Sequence, residues 1–316
     1  MKDFFDNRQN RNIALVVAIL LVVGIGCSVV SYMLTDSFDR GLRSSMRNLD
    51  KITLLCLGVD KQVVMDERHP ETDSIGQADG IFLISFDPKI DEVNIVAVPR
   101  DMMVTIEKYN QKLEYLGNER AQICLQYAYA DGMEKSSELM VERVEELFPD
   151  TTINGYVSIN IEAIMEINDA IGGVEVSVID EYTATQMGIP VGTTLNLMGE
   201  DAMLYLRLRD LHVSGSAYSR LDRIKEYVTK AIPKGLEAVK ETPSLVTDMY
   251  QTLENNMVTS IDAADMVELL SALKEVPMEN VHIYVIQGEI RRGADGYEEF
   301  YPEESCMEDL REKMAN

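Results

Sequence analysis

The sequence has little positive charge. Lys and Arg number 29 against 54 Asp and Glu in 316 residues, which gives a formal net charge of -25 at pH 7. Because binding to nucleic acid is driven by contacts between basic side chains and phosphates, we expect no nucleic-acid partner. Any phosphate site must instead be a local cluster of basic side chains in an acidic protein.

Cysteine and histidine are also scarce, and common catalytic motifs are missing. The four cysteines form no CxxC pair, so small buried hydrophobes are favoured over a disulfide framework. The three histidines show no ligand spacing, which argues against a zinc site. No GxxxxGK[ST], HExxH or GxSxG motif occurs, so the usual signatures of P-loop enzymes, metalloproteases and serine hydrolases are absent.

One long uncharged segment, Ile13–Leu34, lies near the N-terminus. A helix of this length spans a bilayer core of about 30 Å. A lipoprotein signal ending at Cys27 is an alternative, but the apolar run continues past the cysteine, and no small-x-small cleavage site follows. We therefore predict a cytoplasmic tail over residues 1–12, a transmembrane signal anchor over 13–34 and a juxtamembrane connector over 35–50.

The rest of the chain alternates short apolar runs with helical periodicity. Strands are predicted over Lys51–Val59, Asp79–Phe86, Glu92–Val98, Tyr156–Ile161, Val174–Val178 and His282–Ile286. Helices are predicted over Glu119–Ala130, Lys135–Phe148, Glu162–Ile171, Gly199–Leu206, Leu221–Val239, Leu245–Leu253 and Ala263–Leu273. Several strands are apolar on both faces, which predicts an α/β fold: a layered α-β-α domain with a central mixed sheet. We assign this domain to residues 51–240 and expect residues 241–316 to pack on it.

Charged side chains stand at the ends of the first three predicted strands. Asp60 follows the first strand, Asp79 opens the second, and Arg100 and Asp101 follow the third. Ligands of open α/β sheets bind beyond such strand ends, and carboxylates there can hold Mg²⁺ or Mn²⁺ shared with phosphates. The alternative is that these charges only terminate strands in solvated loops.

A second cluster consists of four arginines. Arg207 and Arg209 end a predicted helix, and Arg220 and Arg223 project from one face of the next. Arginine binds phosphate oxygens bidentately, so this spacing favours a phosphate site. The alternative is surface ion pairing with the neighbouring Asp210 and Asp222.

Taken in order, these motifs resemble the LytR-CpsA-Psr family from about Ile52 to Leu236. The motifs are LCLGVD ending at Asp60, ADGIFLISFDP with Asp79, AVPRD with Arg100 and Asp101, AYADG, NDAIGGVEV, LNLMGEDAMLYLRLR ending at Arg207 and Arg209, and RLDRI with Arg220 and Arg223. Four positions depart from the family pattern, which makes the chain a divergent member. Gln77 replaces an arginine, Cys124 a lysine, Ala217 an aspartate and Ile224 a glutamine.

The resemblance implies an enzyme that transfers a glycopolymer, such as teichoic acid or capsular polysaccharide, from a polyprenyl pyrophosphate carrier to peptidoglycan. It implies catalytic roles for Arg100, Asp101, Arg207 and Arg209, phosphate binding by Arg100, Arg207, Arg209, Arg220 and Arg223, and Mg²⁺ or Mn²⁺ on Asp60 and Asp79. The departures keep a non-catalytic polyprenyl-phosphate-binding or regulatory protein open as an alternative. A purely structural membrane-tethered domain is a third possibility.

The predicted anchor and the wall-directed role give a topology that can be tested. The bulk of a single-pass protein of the cell membrane should lie outside the cell. Protease added to intact protoplasts should therefore digest residues 50–316 and leave residues 1–12 protected. Protection of the globular domain would contradict this topology.

Overall fold

A computed structural model describes residues 51–315, apart from positions 62, 68–73, 111, 161, 209–222, 224–225, 228–229, 232–233, 236, 239–240, 243–244, 262–264, 266–268, 270–275, 278–279 and 295. The predicted anchor, connector and tail lie outside the described residues. Among the described helices, none combines the length and the apolar character that crossing a membrane requires.

The described strands, in chain order, are β1 (Ile52–Val59), β2 (Ala78–Asp87), β3 (Glu92–Ala97), β4 (Met103–Tyr109), β5 (Tyr115–Gln122), β6 (Gly155–Asn160), β7 (Val174–Ser177), β8 (Thr194–Leu197), β9 (Met257–Thr259), β10 (Val281–Val285), β11 (Gly288–Arg292) and β12 (Glu298–Pro302). The described helices are α1 (Cys124–Ala128), α2 (Glu134–Leu147), α3 (Glu162–Ala170), α4 (Glu181–Met187), α5 (Gly199–Arg207), α6 (Leu245–Leu253) and α7 (Glu304–Met314). The described positions between 223 and 241 are also helical.

The central sheet is mixed, with strand order β10-β3-β2-β1-β6-β9. Strand β1 runs antiparallel to β2 and parallel to β6, and β3 runs antiparallel to β2 and parallel to β10. Three short hairpins, β4-β5, β7-β8 and β11-β12, lie outside this sheet. The predicted α/β fold with a central mixed sheet is thus confirmed.

Helices cover both faces of the sheet because its central strands are apolar on both sides. All of β1 is buried, and its side chains alternate between two cores. One core joins the sheet to α3, α4, α5 and α6, and the other joins it to β4, β5, α1, α2 and α7. The result is a layered α-β-α arrangement in which α7 and β10, both from the C-terminal part, belong to the same packed unit.

The prediction of a helix over Glu119–Ala130 is wrong in its first half. That segment completes strand β5, which pairs with β4, and only Cys124–Ala128 is helical. Cross-strand contacts outweigh the helical propensity of the Glu-, Arg- and Gln-containing sequence, as in the ion pair between Lys108 Nζ and Glu119 Oε2 at 2.7 Å. Pairing with a distant strand is not visible in local periodicity.

The register of β1, β2 and β3 determines where the candidate site lies. Gly58 pairs with Gly80, and Phe82 pairs with Ala97. The end of β1, the start of β2 and the end of β3 therefore meet at one edge of the sheet. Extending the β2-β3 register by three residues sets Asp79 opposite Arg100.

Candidate active site

An ion pair between Arg100 and Asp79 forms the centre of the candidate site. The guanidinium Nη1 donates to Asp79 Oδ1, and Nε lies 3.4 Å from Asp101 Oδ1. The side chains remain 35% (Arg100) and 37% (Asp79) exposed, so a ligand can reach the pair. The structure thus brings together the residues that the sequence placed at the ends of two strands.

Two side chains complete the surroundings of Arg100. Nη2 donates to Gln77 Oε1 at 3.0 Å and contacts Cys124 Sγ at 3.5 Å. Cys124 is buried, and burial is the main reason that the pKa of its thiol rises to about 11. The raised pKa favours the neutral thiol of Cys124 over the thiolate.

Negative charge is in excess around the ion pair. Partial burial raises the pKa of Asp79, and the neighbouring carboxylates of Asp60 and Asp101 raise it further, while Arg100 opposes the shift. Since one arginine does not compensate these carboxylates, an additional cation would be stabilised here.

Asp60 and Asp79 are the carboxylates that could hold such a cation. Asp60 is exposed just beyond β1, and its backbone N–H donates to Gln77 O at 2.9 Å, which holds it beside the start of β2. The described part of the chain has no cluster of three or more Asp, Glu, His or Cys side chains able to hold a metal ion. A two-carboxylate site matches Mg²⁺, which keeps several waters and shares its remaining positions with phosphates.

The predicted arginine cluster lies partly outside the described residues. Arg209 and Arg220 fall there, as do the departures at Ala217 and Ile224. Arg207 is the last residue of α5, a helix that packs against α3 and the sheet.

Arg223 corrects the prediction of a direct phosphate contact. Its side chain is only 1% exposed, and Nη1 donates to Asp180 Oδ2 at 2.6 Å. Nε donates to Tyr205 O at 2.9 Å, and Nη2 donates to Leu208 O. These carbonyls belong to the C-terminal end of α5, so Arg223 holds the helix end at Arg207 and Leu208.

Two positioning contacts near the site were not foreseen from the sequence. Asn160, at the end of β6, donates through Nδ2 to Val63 O at 2.7 Å and so holds the segment that follows Asp60. The backbone of Asp101 accepts a hydrogen bond from Phe300 N at 2.7 Å, which joins β12 to the site loop. An asparagine at a strand end is a weak sequence signal for the Asn160 contact. The acidic C-terminal tail gave no sequence signal for the Phe300 contact.

The chain combines a layered α/β fold with charged side chains at converging strand ends, which is where open α/β sheets bind their ligands. The profile of the LytR_cpsA_psr family matches residues 32–316. The chain therefore belongs to this family.

Curated relatives and solved structures agree with this assignment. The polyisoprenyl-teichoic acid–peptidoglycan teichoic acid transferase TagU of Bacillus cereus (strain AH820) is 24% identical to this chain over 281 residues. The match covers 89% of this chain and 84% of that protein. Protein gbs0355 from Streptococcus agalactiae matches with a TM-score of 0.63 at 20% identity, covering 84% of this chain and 86% of that one. TagT bound to LI-WTA matches with a TM-score of 0.58 at 19% identity, covering 87% of this chain and 93% of that one. The structures show that the fold is shared.

The buried contacts of Arg223 predict a large effect on stability. Arg223→Met should lower the free energy of unfolding by about 3 kcal/mol, because it removes the charge partner of Asp180 and the donor to two carbonyls. Denaturation in urea measures this, with the exposed Arg292→Met as the matched control at less than about 0.5 kcal/mol. An equally small effect of both substitutions would contradict the buried role.

The ion pair between Arg223 and Asp180 also predicts how the stability of the protein depends on pH. Burial of Asp180 opposes the shift, but hydrogen bonds from Thr183 and Arg223 outweigh it and hold the pKa of Asp180 below its usual range. A carboxylate whose pKa is lower in the folded state than in the unfolded state stabilises the fold at pH values above its unfolded-state pKa of about 3.9. That stabilisation is lost as the pH falls through the folded-state pKa. The wild-type protein should therefore lose more stability below about pH 4 than Arg223→Met does.

Proposed function

We propose that this protein transfers a glycopolymer from a polyprenyl pyrophosphate carrier to peptidoglycan. The single observation that carries the proposal is the accessible Arg100–Asp79 pair, which lies where three strand ends converge with Asp60 beside it. Membership of the family and the names of the curated relatives, which are teichoic acid transferases, support the same reaction class.

In this reaction a hydroxyl of peptidoglycan attacks the phosphorus on the polymer side of the pyrophosphate. A new P–O bond forms to the acceptor, the bridging P–O bond breaks, polyprenyl phosphate leaves, and the hydroxyl proton is released. Arg100 is exposed enough to bind phosphate oxygens and stabilise their developing charge, together with Arg207, Arg209 and Arg220. The 3.4 Å contact between Asp101 and Arg100 Nε favours an orienting role for that carboxylate.

A divalent cation, Mg²⁺ or Mn²⁺, would complete the charge balance. A pyrophosphate is repelled by Asp60, Asp79 and Asp101, and Arg100 alone does not offset them. Asp60 and Asp79 would hold the ion, which would neutralise part of the pyrophosphate charge.

We further propose that residues 13–34 anchor the protein in the cell membrane with its bulk outside the cell. The polyprenyl tail of the carrier is itself a membrane lipid, so an anchored domain meets it at the surface. In this proposal the protein associates with the membrane and with peptidoglycan, and the carrier-linked polymer is its substrate.

Gln77 and Cys124 favour one alternative function. Both side chains beside Arg100 are neutral, so the site has fewer cations than the family pattern provides. A protein that binds polyprenyl pyrophosphate or phosphate without turnover needs affinity alone, and a weaker electrostatic site is sufficient for that.

The two functions are separated by measuring binding and transfer on the same proteins. We expect Arg100→Ala to weaken lipid pyrophosphate binding about ten- to a hundredfold, the effect of one lost charge-assisted hydrogen bond. Asp60→Asn should weaken Mg²⁺ binding only when pyrophosphate is present. Arg292→Ala, an exposed arginine of β11, is the control and should leave both binding and transfer unchanged.

Wild-type transfer of polymer to peptidoglycan that falls in Arg100→Ala supports the transferase. Binding that depends on Arg100, with no transfer from several donor polymers, supports the binder instead. If folded Arg100→Ala matches the wild type in both assays, the proposed site is wrong. Equal Mg²⁺ affinities of Asp60→Asn and the wild type in the presence of pyrophosphate would remove Asp60 from the cation site.

A further inference from the structure

Gln77 makes hydrogen bonds with three charged residues of the candidate site, Asp60, Asp79 and Arg100. Its backbone carbonyl accepts two hydrogen bonds, from Asp60 N at 2.9 Å and from Asp79 N at 3.0 Å. A single peptide group therefore fixes the backbone of both carboxylates that are proposed to hold the cation. Side-chain substitution at position 77 leaves these two bonds in place.

The position of this peptide is itself constrained by the preceding glycine. Gly76 has a φ of +87°, and a Cβ there would lie 2.6 Å from Val59 Cγ1. Only glycine allows the chain to turn so close to β1. The Gln77 side chain thus extends from a point that is held by β1 and by two backbone hydrogen bonds.

The side-chain amide of Gln77 faces Arg100 with its oxygen. Its oxygen Oε1 accepts from Arg100 Nη2 at 3.0 Å, and the thiol of Cys124 lies 3.8 Å from the same atom. Because two donors converge on this atom, the oxygen and not the NH₂ group of the amide must point toward the guanidinium.

The neutrality of this acceptor is important for the charge of the site. Arg100 already contacts the carboxylates of Asp79 and Asp101. A third carboxylate would neutralise the cation further and repel an incoming phosphate. An amide oxygen fixes the third side of the guanidinium without adding negative charge.

We propose that Gln77 is a positioning residue that orients the Arg100 guanidinium for a pyrophosphate ligand through a neutral hydrogen bond. The inference rests on the proposed function, because it assumes that Arg100 binds pyrophosphate. Gln77 acts through Arg100 and need not touch the ligand itself.

The test is a double-mutant cycle with inorganic pyrophosphate and Mg²⁺ as the probe, measured by calorimetry on the full-length protein in detergent. Gln77→Met keeps the side-chain length and removes the acceptor, so binding should weaken about five- to tenfold. In an Arg100→Met background the same substitution should have no further effect. Gln251→Met, an exposed position on α6, is the matched control and should bind like the wild type.

Gln77→Glu provides a second, independent measurement. It keeps an acceptor of the same size but adds a negative charge, so it should bind pyrophosphate more weakly than Gln77→Met. If charge neutrality at this position is unimportant, Gln77→Glu will instead bind like the wild type, which would overturn the proposal.

The outcomes distinguish this inference from the proposed function. Additive effects of Gln77→Met and Arg100→Met, or wild-type affinity in Gln77→Met, would overturn the positioning role while Arg100-dependent binding still supports the site. A wild-type protein that does not bind pyrophosphate would overturn both. Melting temperatures within about 2 °C of wild type for Gln77→Met would show that the change in affinity does not arise from lost stability.

Discussion

The antiparallel register of β1, β2 and β3 is the constraint on which the candidate site depends. It sets the end of β1 and the end of β3 beside the start of β2, and thereby gathers Asp60, Asp79 and Arg100 at one edge. A slip of one residue would move each side chain of β1 into the opposite core, where it would not fit the close packing. Since both faces of β1 are buried, two cores enforce the register that brings these charges together.

Charge balance connects this geometry to the proposed chemistry. Three carboxylates and one partly exposed arginine make a poor phosphate site by themselves, and the proposed chemistry therefore includes a cation and further arginines. Arg223 is buried against Asp180 and holds the carbonyls at the end of α5, the helix that ends with Arg207. Gln77 supplies a neutral hydrogen-bond acceptor for Arg100.

The sequence predicted what depends on local patterns and missed what depends on distant pairing. Strand ends are visible as charges after apolar runs, so Asp60, Asp79 and Arg100 could be grouped before their contacts were known. Helical spacing put Arg220 and Arg223 on one face, but it could not reveal that Asp180 and the end of α5 surround Arg223. Strand β5 was misread as helix because its partner β4 is recognised only through cross-strand contacts. The hairpin β11-β12 gave no signal in an acidic tail, although β12 bonds to the backbone of Asp101.

The central claim is that the sheet edge around Arg100 holds a polyprenyl pyrophosphate or its phosphate. Mass spectrometry of lipid that remains bound to the full-length protein after detergent extraction tests this claim most directly. A polyprenyl phosphate or pyrophosphate should be found with the wild-type protein and be depleted in Arg100→Ala. Recovery of only bulk phospholipid from both proteins, each shown to be folded, would contradict the account.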